Sequence, residues 1–156
     1  MAVAKTLEKY LAEQGIKYEV VAHPLALSAS RTAQASHVSG ECIAKAVVLK
    51  GKDVYRLAVL PATHHIQFNV LRNKFKLRVE LAKEEEVSTL FTDCEIGAIP
   101  PIGAAYGLDV IADENLAGQR DIYFEGGDHT SLVRVTGEQF DRLMADAQRG
   151  RFSEHD

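Results

Sequence analysis

Seven consecutive residues, Gly97-Ala98-Ile99-Pro100-Pro101-Ile102-Gly103, constrain this chain more than any other stretch. Two prolines lack N–H groups and fix φ, and the flanking glycines admit backbone conformations that other residues avoid. A helix interior and a central strand are both excluded. The stretch is therefore a shaped loop. Its apolar fillers, Ala98, Ile99 and Ile102, and the Ala104-Ala105 pair that follows argue against a flexible linker. On these residues alone the loop reads either as a structural turn or as a packed loop that keeps backbone N–H and C=O groups beside a ligand.

The elements around the loop follow from local patterns. Leu7, Tyr10 and Leu11 fall at helical spacing within residues 2–14, with Lys5, Glu8, Lys9 and Glu13 on the other faces and Gly15 in a capping position. Residues 18–22 form a β-prone run ended by His23-Pro24, because a residue before proline is pushed out of the helical region. Ser28 or Ser30 then caps an expected helix of small residues that ends near Ser39-Gly40. Residues 44–50 read as a buried strand, Gly51-Lys52-Asp53 as a turn, and 54–60 as the hairpin partner, halted by Pro61. Thr63-His64-His65 is expected at the mouth of a helix over 66–73.

Arg72, Lys74, Lys76 and Arg78 alternate into a short strand near 77–79 and read as a solvated face or as a patch for phosphates. A helix over 83–90 with Glu84, Glu85 and Glu86 in its first turn, a strand over 108–112, and strands over 122–125 and 131–135 come next. Thr136-Gly137-Glu138-Gln139 opens a last helix with Phe140, Leu143, Met144 and Ala147 on one face. Residues 150–156 read as a frayed tail after a domain spanning 1–149. Hairpins outnumber any βαβ rhythm, so the expectation is one compact α/β domain with a mixed, largely antiparallel sheet flanked by helices.

Several function classes are disfavoured. A formal net charge of −4 argues against an indiscriminate nucleic-acid binder but leaves room for a local basic patch. Cys42 and Cys94 fit no CxxC spacing and read as free thiols in a reducing cytosol. Residues 1–8 hold no long apolar segment and no run reaches membrane-spanning length, so the expected location is cytoplasmic. Adjacent His64 and His65 point different ways and make a poor metal pair. Neither a GxSxG elbow nor a GxxxxGK[ST] phosphate cradle is present.

What is left is a lysine beginning a strand, the special loop, and a Gly-Gly-Asp-His turn. Lys45, in Ala44-Lys45-Ala46-Val47-Val48-Leu49, reads by itself as a solvated edge residue. That segment, the GxxxP pattern from Gly97 to Pro101, and Tyr123-Phe124-Glu125-Gly126-Gly127-Asp128-His129 together resemble the YbaK-like aminoacyl-tRNA deacylases. This family includes the editing domain inserted in bacterial prolyl-tRNA synthetases. The resemblance runs from the first helix to the last. It implies a partly barrel-like sheet and hydrolysis of the ester joining a wrong amino acid to the 3′ end of tRNA, by water and without a cofactor.

The resemblance also assigns roles. Lys45 matches the family's essential lysine, which holds a terminal phosphate or polarises the ester carbonyl. Gly97 and Pro101, with Ala98, Ile99, Pro100 and Gly103 around them, match the loop that receives the terminal adenosine. His129 either orients water or substrate, or is an exposed residue on a turn stabilised by Asp128. Ser28, Thr32, Thr63 and His64 are expected to line the amino-acid pocket, with alanine, cysteine or serine as cargo. The implied partner is an aminoacyl-tRNA 3′ end, with a synthetase or elongation factor as companion and neither DNA nor membrane. The alternative on the same fold is a non-catalytic module that binds a tRNA end, a nucleotide or a partner protein.

Overall fold

The computed structural model describes residues 3–24, 32–33 and 38–156. Helix α1 (Lys5–Glu13) leads to β1 (Glu19–Ala22), and after a short 3₁₀ turn at Gly40–Cys42 come β2 (Ala44–Lys50), β3 (Tyr55–Pro61), β4 (His64–Ile66) and α2 (Phe68–Lys74). Then follow β5 (Glu80–Leu81), α3 (Glu84–Leu90), β6 (Asp109–Asp113), β7 (Asp121–Glu125), β8 (Ser131–Thr136), α4 (Gly137–Leu143), β9 (Gln148–Gly150) and β10 (Ser153–His155). A five-stranded mixed sheet runs β5-β2-β3-β6-β9, a three-stranded antiparallel sheet runs β1-β8-β7, and β10 pairs with β4. This is the α/β fold with mixed sheets that the hairpin rhythm predicts.

Side-chain alternation sorts the five-stranded sheet into two faces. Ala44 and Val48 of β2 and Leu57 and Val59 of β3 enter the main core, together with Leu7 and Leu11 of α1, Ile122 and Phe124 of β7, and Phe140 and Leu143 of α4. On the opposite face, Leu49, Ala58 and Leu60 join Leu71 of α2 and Phe152 in a second cluster. A third, smaller cluster of Ala33, Ile43, Ala62 and Leu132, with Tyr123 against it, sits where the start of β2 meets the three-stranded sheet. Ile43 bridges Tyr123 directly.

Three sequence expectations change. The frayed tail is a strand: Ser153, Glu154 and His155 pair with Ile66, His65 and His64, and Phe152 is fully buried. For the same reason His64 and His65 lie in β4 rather than at a helix mouth, and α2 begins only at Phe68. The strand near 77–79 does not form, because Lys76 takes a left-handed φ of 59° that interrupts the run, and pairing starts at Glu80. The small-residue helix from Ser28 or Ser30 falls largely outside the described residues.

Candidate functional site

Lys45 stands second in β2, opposite Leu60. Its neighbours on the same face are Ile43, in the third cluster, and Val47, packed against the second. The half-buried ammonium makes one long hydrogen bond, to the Ala62 carbonyl at 3.5 Å. Burial lowers the lysine's pKa below its ordinary value, opposed by the charge of Asp156. An ammonium held partly out of water with a single weak acceptor among the described residues keeps donors for another group.

The third cluster connects this lysine to a polar wall. Glu125 ends β7 on the same face as Tyr123, opposite Leu132, so its side chain also leaves toward that cluster. Thr32, fully buried beside Ala33, donates its hydroxyl to Glu125 Oε2 at 2.9 Å. His23, fixed by its backbone N–H to the Thr130 carbonyl at 2.8 Å, places Nε2 3.9 Å from Glu125 Oε1. His23 Nδ1 lies 2.7 Å from the Pro24 carbonyl, and because a carbonyl only accepts, Nδ1 carries the proton. Burial raises the Glu125 pKa, opposed by the Thr32 hydrogen bond and by His23 and His129. His23 and Glu125 are residues that sequence reading does not pick out. The available signal was a carboxylate closing the apolar Tyr123-Phe124 run.

The loop and the turn meet each other. His129, at a left-handed φ of 64°, donates Nε2–H to the Ile96 carbonyl at 2.6 Å, and the Glu95 N–H reaches the Gly127 carbonyl at 2.8 Å. Asp128 accepts from the Thr130 N–H at 3.0 Å and from the Ser131 hydroxyl at 3.2 Å. Burial raises its pKa, but these bonds prevail and hold it below the ordinary carboxylate value. Gly97 is exposed at φ 86°, and residues 98–103 are buried. Ile99 and Ile102 anchor the loop in the main core. Gly103 is demanded by packing: a Cβ there would stand 2.5 Å from Val110 Cγ2.

The structure thus ties the start of the loop, at Glu95 and Ile96, to the Gly127–His129 turn, and brings His129 close enough to Glu125 for its charge to act there, while Thr32 and Glu125 meet by the third cluster. Among the described residues no hydrogen bond or ion pair joins Lys45 to the 97–103 loop. Thr63 and His64 belong to a further group beside Lys45. Thr63 donates to Glu41 Oε1 at 2.9 Å, and His64 lies 3.0 Å from the Ser153 hydroxyl and 3.7 Å from Glu41 Oε2. Ser28 lies outside the described residues. Among the described residues no group of three or more His, Cys, Asp or Glu is placed to hold a metal ion, and no helix is long and apolar enough to cross a membrane.

Comparison with known proteins bears on this arrangement. The family model for an aminoacyl-tRNA editing domain matches residues 23–143. A proline–tRNA ligase of Bacillus cytotoxicus is 35% identical over 78 residues, which are 49% of this chain and only 13% of the ligase. The crystal structure of a candidate trans-editing enzyme for prolyl-tRNA synthetase superposes with a TM-score of 0.84 at 25% identity, covering 97% of this chain and 96% of that one. A hypothetical protein of known structure gives 0.84 at 19% identity over 96% and 100% of the two chains, a likeness of fold.

Proposed function

Since this chain belongs to the aminoacyl-tRNA editing domain family, we propose that it is a trans-editing deacylase that hydrolyses the ester of a misacylated tRNA carrying alanine, cysteine or serine. The observation that carries the reading is the half-buried Lys45 ammonium, with one long hydrogen bond, bordering the same apolar cluster as the Thr32–Glu125–His23 wall.

In this reading Lys45 stabilises negative charge as it develops on the ester carbonyl oxygen, a role that a desolvated ammonium fills better than a hydrated one. Water, oriented by the substrate's free ribose hydroxyl, attacks the carbonyl carbon. The bond to the ribose 3′ oxygen breaks, and that oxygen takes up the proton. Backbone groups at Gly97 and Pro101 receive the terminal adenosine, and His129 holds the start of that loop through the Ile96 carbonyl. Thr63 and His64 extend the wall beyond Lys45. A synthetase or elongation factor supplies tRNA specificity that this small footprint does not.

The test is release of amino acid from a panel of misacylated tRNAs. Lys45→Ala is expected to slow release by about 100-fold or more, the scale of removing one transition-state donor, without lowering the thermal midpoint. Absence of release across the panel, or release indifferent to Lys45→Ala, would sink the reading. The second reading, a tRNA-binding module without turnover, draws on the basic cleft of Lys50, Lys52, Arg72 and Arg78. It predicts saturable, salt-sensitive binding with the ester left intact.

A further inference from the structure

Resting on the deacylase reading, we propose that the gap between Glu125 Oε1 and His23 Nε2 is the subsite for the α-ammonium of the aminoacyl group. Both residues are more than nine-tenths buried, and among the described residues neither of these two atoms has a hydrogen-bond partner. Buried polar atoms in native proteins are nearly always paired, so an orphaned pair marks strain, an ordered water or a bound ligand. The Nδ1 proton of His23 is committed to the Pro24 carbonyl, so a ring carrying one proton presents its lone pair at Nε2. A carboxylate oxygen faces it at 3.9 Å, too far for a direct hydrogen bond.

Two acceptors facing each other require a donor between them, and their chemistry selects which one. A primary ammonium brings three N–H donors and a positive charge, which matches one carboxylate oxygen and one imidazole lone pair. A hydroxyl brings one donor and water two, but neither brings the positive charge that a buried carboxylate draws. An anion is repelled by Glu125. The Thr32 hydroxyl fixes the other carboxylate oxygen at 2.9 Å, so Oε1 does not swing away to satisfy itself elsewhere. The apolar cluster that Glu125 faces includes Ala62, whose carbonyl accepts from Lys45, so the amine site and the proposed carbonyl site border the same cluster. The subsite would make the enzyme recognise its substrate as an amino-acid ester, whichever small side chain it carries.

The experiment compares one tRNA charged with alanine and with lactate, its α-hydroxy counterpart. Each enzymatic rate is divided by the uncatalysed rate of the same ester, because the ammonium alone activates the ester. The wild type is expected to favour the alanyl ester by about 10- to 100-fold in kcat/KM, the worth of one charge-assisted contact. Glu125→Gln is expected to bring that ratio to within about threefold, while Lys45→Ala slows both esters alike. Should Glu125→Gln fail to fold, Thr32→Val reports on the same ratio. Equal treatment of the two esters by the wild type, or an unchanged ratio in a folded variant at Glu125 or Thr32, overturns the subsite and leaves the deacylase reading standing. In that case an ordered water fills the gap between the two side chains. Failure to hydrolyse either ester overturns both.

Discussion

Lys45 is a charge held where water does only part of the solvation. Its lowered pKa has two consequences of opposite sense. Activity that needs the ammonium should fall on the alkaline side at a pH below the ordinary lysine value of 10.5. Asp156→Asn, which removes the opposing negative charge, should move that limb lower still. A kcat/KM profile of the two proteins checks both, and identical alkaline limbs would count against Lys45 as the titrating group. For stability, a lysine whose folded pKa lies below its unfolded one destabilises the fold at neutral pH, and the effect fades as pH rises through both values. Lys45→Met should therefore raise the thermal midpoint at pH near 7, with the gain shrinking as the solution becomes alkaline. By its local pattern the lysine reads as a solvated edge residue, and only the family resemblance singles it out. The His23–Glu125 pair escapes sequence reading, since one partner follows the end of β1, the other ends β7, and Thr32 reaches Glu125 across 93 residues.

At the scale of elements, what is local is legible and what depends on a distant partner is not. The Gly51-Lys52-Asp53 turn with its hairpin and the capping box between Thr136 and Gln139 both stand as the sequence predicts. The strand at 153–155 has no apolar alternation of its own, and its partner β4 lies some 90 residues earlier. Phe152 secures that end. Its ring meets Phe75 edge-on, its N–H donates to Asp113 Oδ2 at 3.0 Å, and its carbonyl accepts from Gln67 at 2.8 Å. Phe152→Ala should cost about 3–5 kcal/mol in urea unfolding, the usual range for emptying a buried aromatic site. A loss under about 1 kcal/mol would mean that the end of the chain is not part of the cooperative fold. Helix α3 is held differently. Glu86 accepts from the Lys83 N–H at 2.9 Å, pairs with Lys50 at 2.7 Å, and accepts from the Tyr55 hydroxyl. The Lys50 and Tyr55 hydrogen bonds lower its pKa from 4.5 to about 2. A depressed carboxylate contributes stability above its unfolded pKa that is lost as pH falls through the folded one. Glu86→Gln should thus lower the thermal midpoint at neutral pH, and the difference from wild type should close between 4.5 and about 2.

Over the whole molecule the question is how a chain with a net charge of −4 meets a polyanion. Its charge is not spread evenly. Lys50, Lys52, Arg72 and Arg78 converge with Phe68 on a cleft of about 520 Å³ in which Glu80 is the one carboxylate. Lys50 is occupied by Glu86, whereas Lys52, Arg72 and Arg78 make no ion pair among the described residues. Three cations without a close ion pair on an acidic protein suit a short run of phosphates better than a whole tRNA. The expected signature is a modest salt dependence. Two or three neutralised phosphates give a slope of about −2 to −3 in log affinity against log salt, which weakens binding by about 10- to 40-fold between roughly 50 and 200 mM. In the double variant Arg72→Gln with Arg78→Gln, the slope should fall by nearly 2 while the saturated rate of ester cleavage stays as in the wild type, because neither arginine borders the third cluster. Filter binding of a charged tRNA at several salt concentrations, with single-turnover deacylation alongside, separates the two quantities. If the slope is unchanged in the double variant, the cleft does not touch the nucleic acid. If the saturated rate collapses with the slope, the cleft and the chemistry cannot be assigned to different parts of the surface.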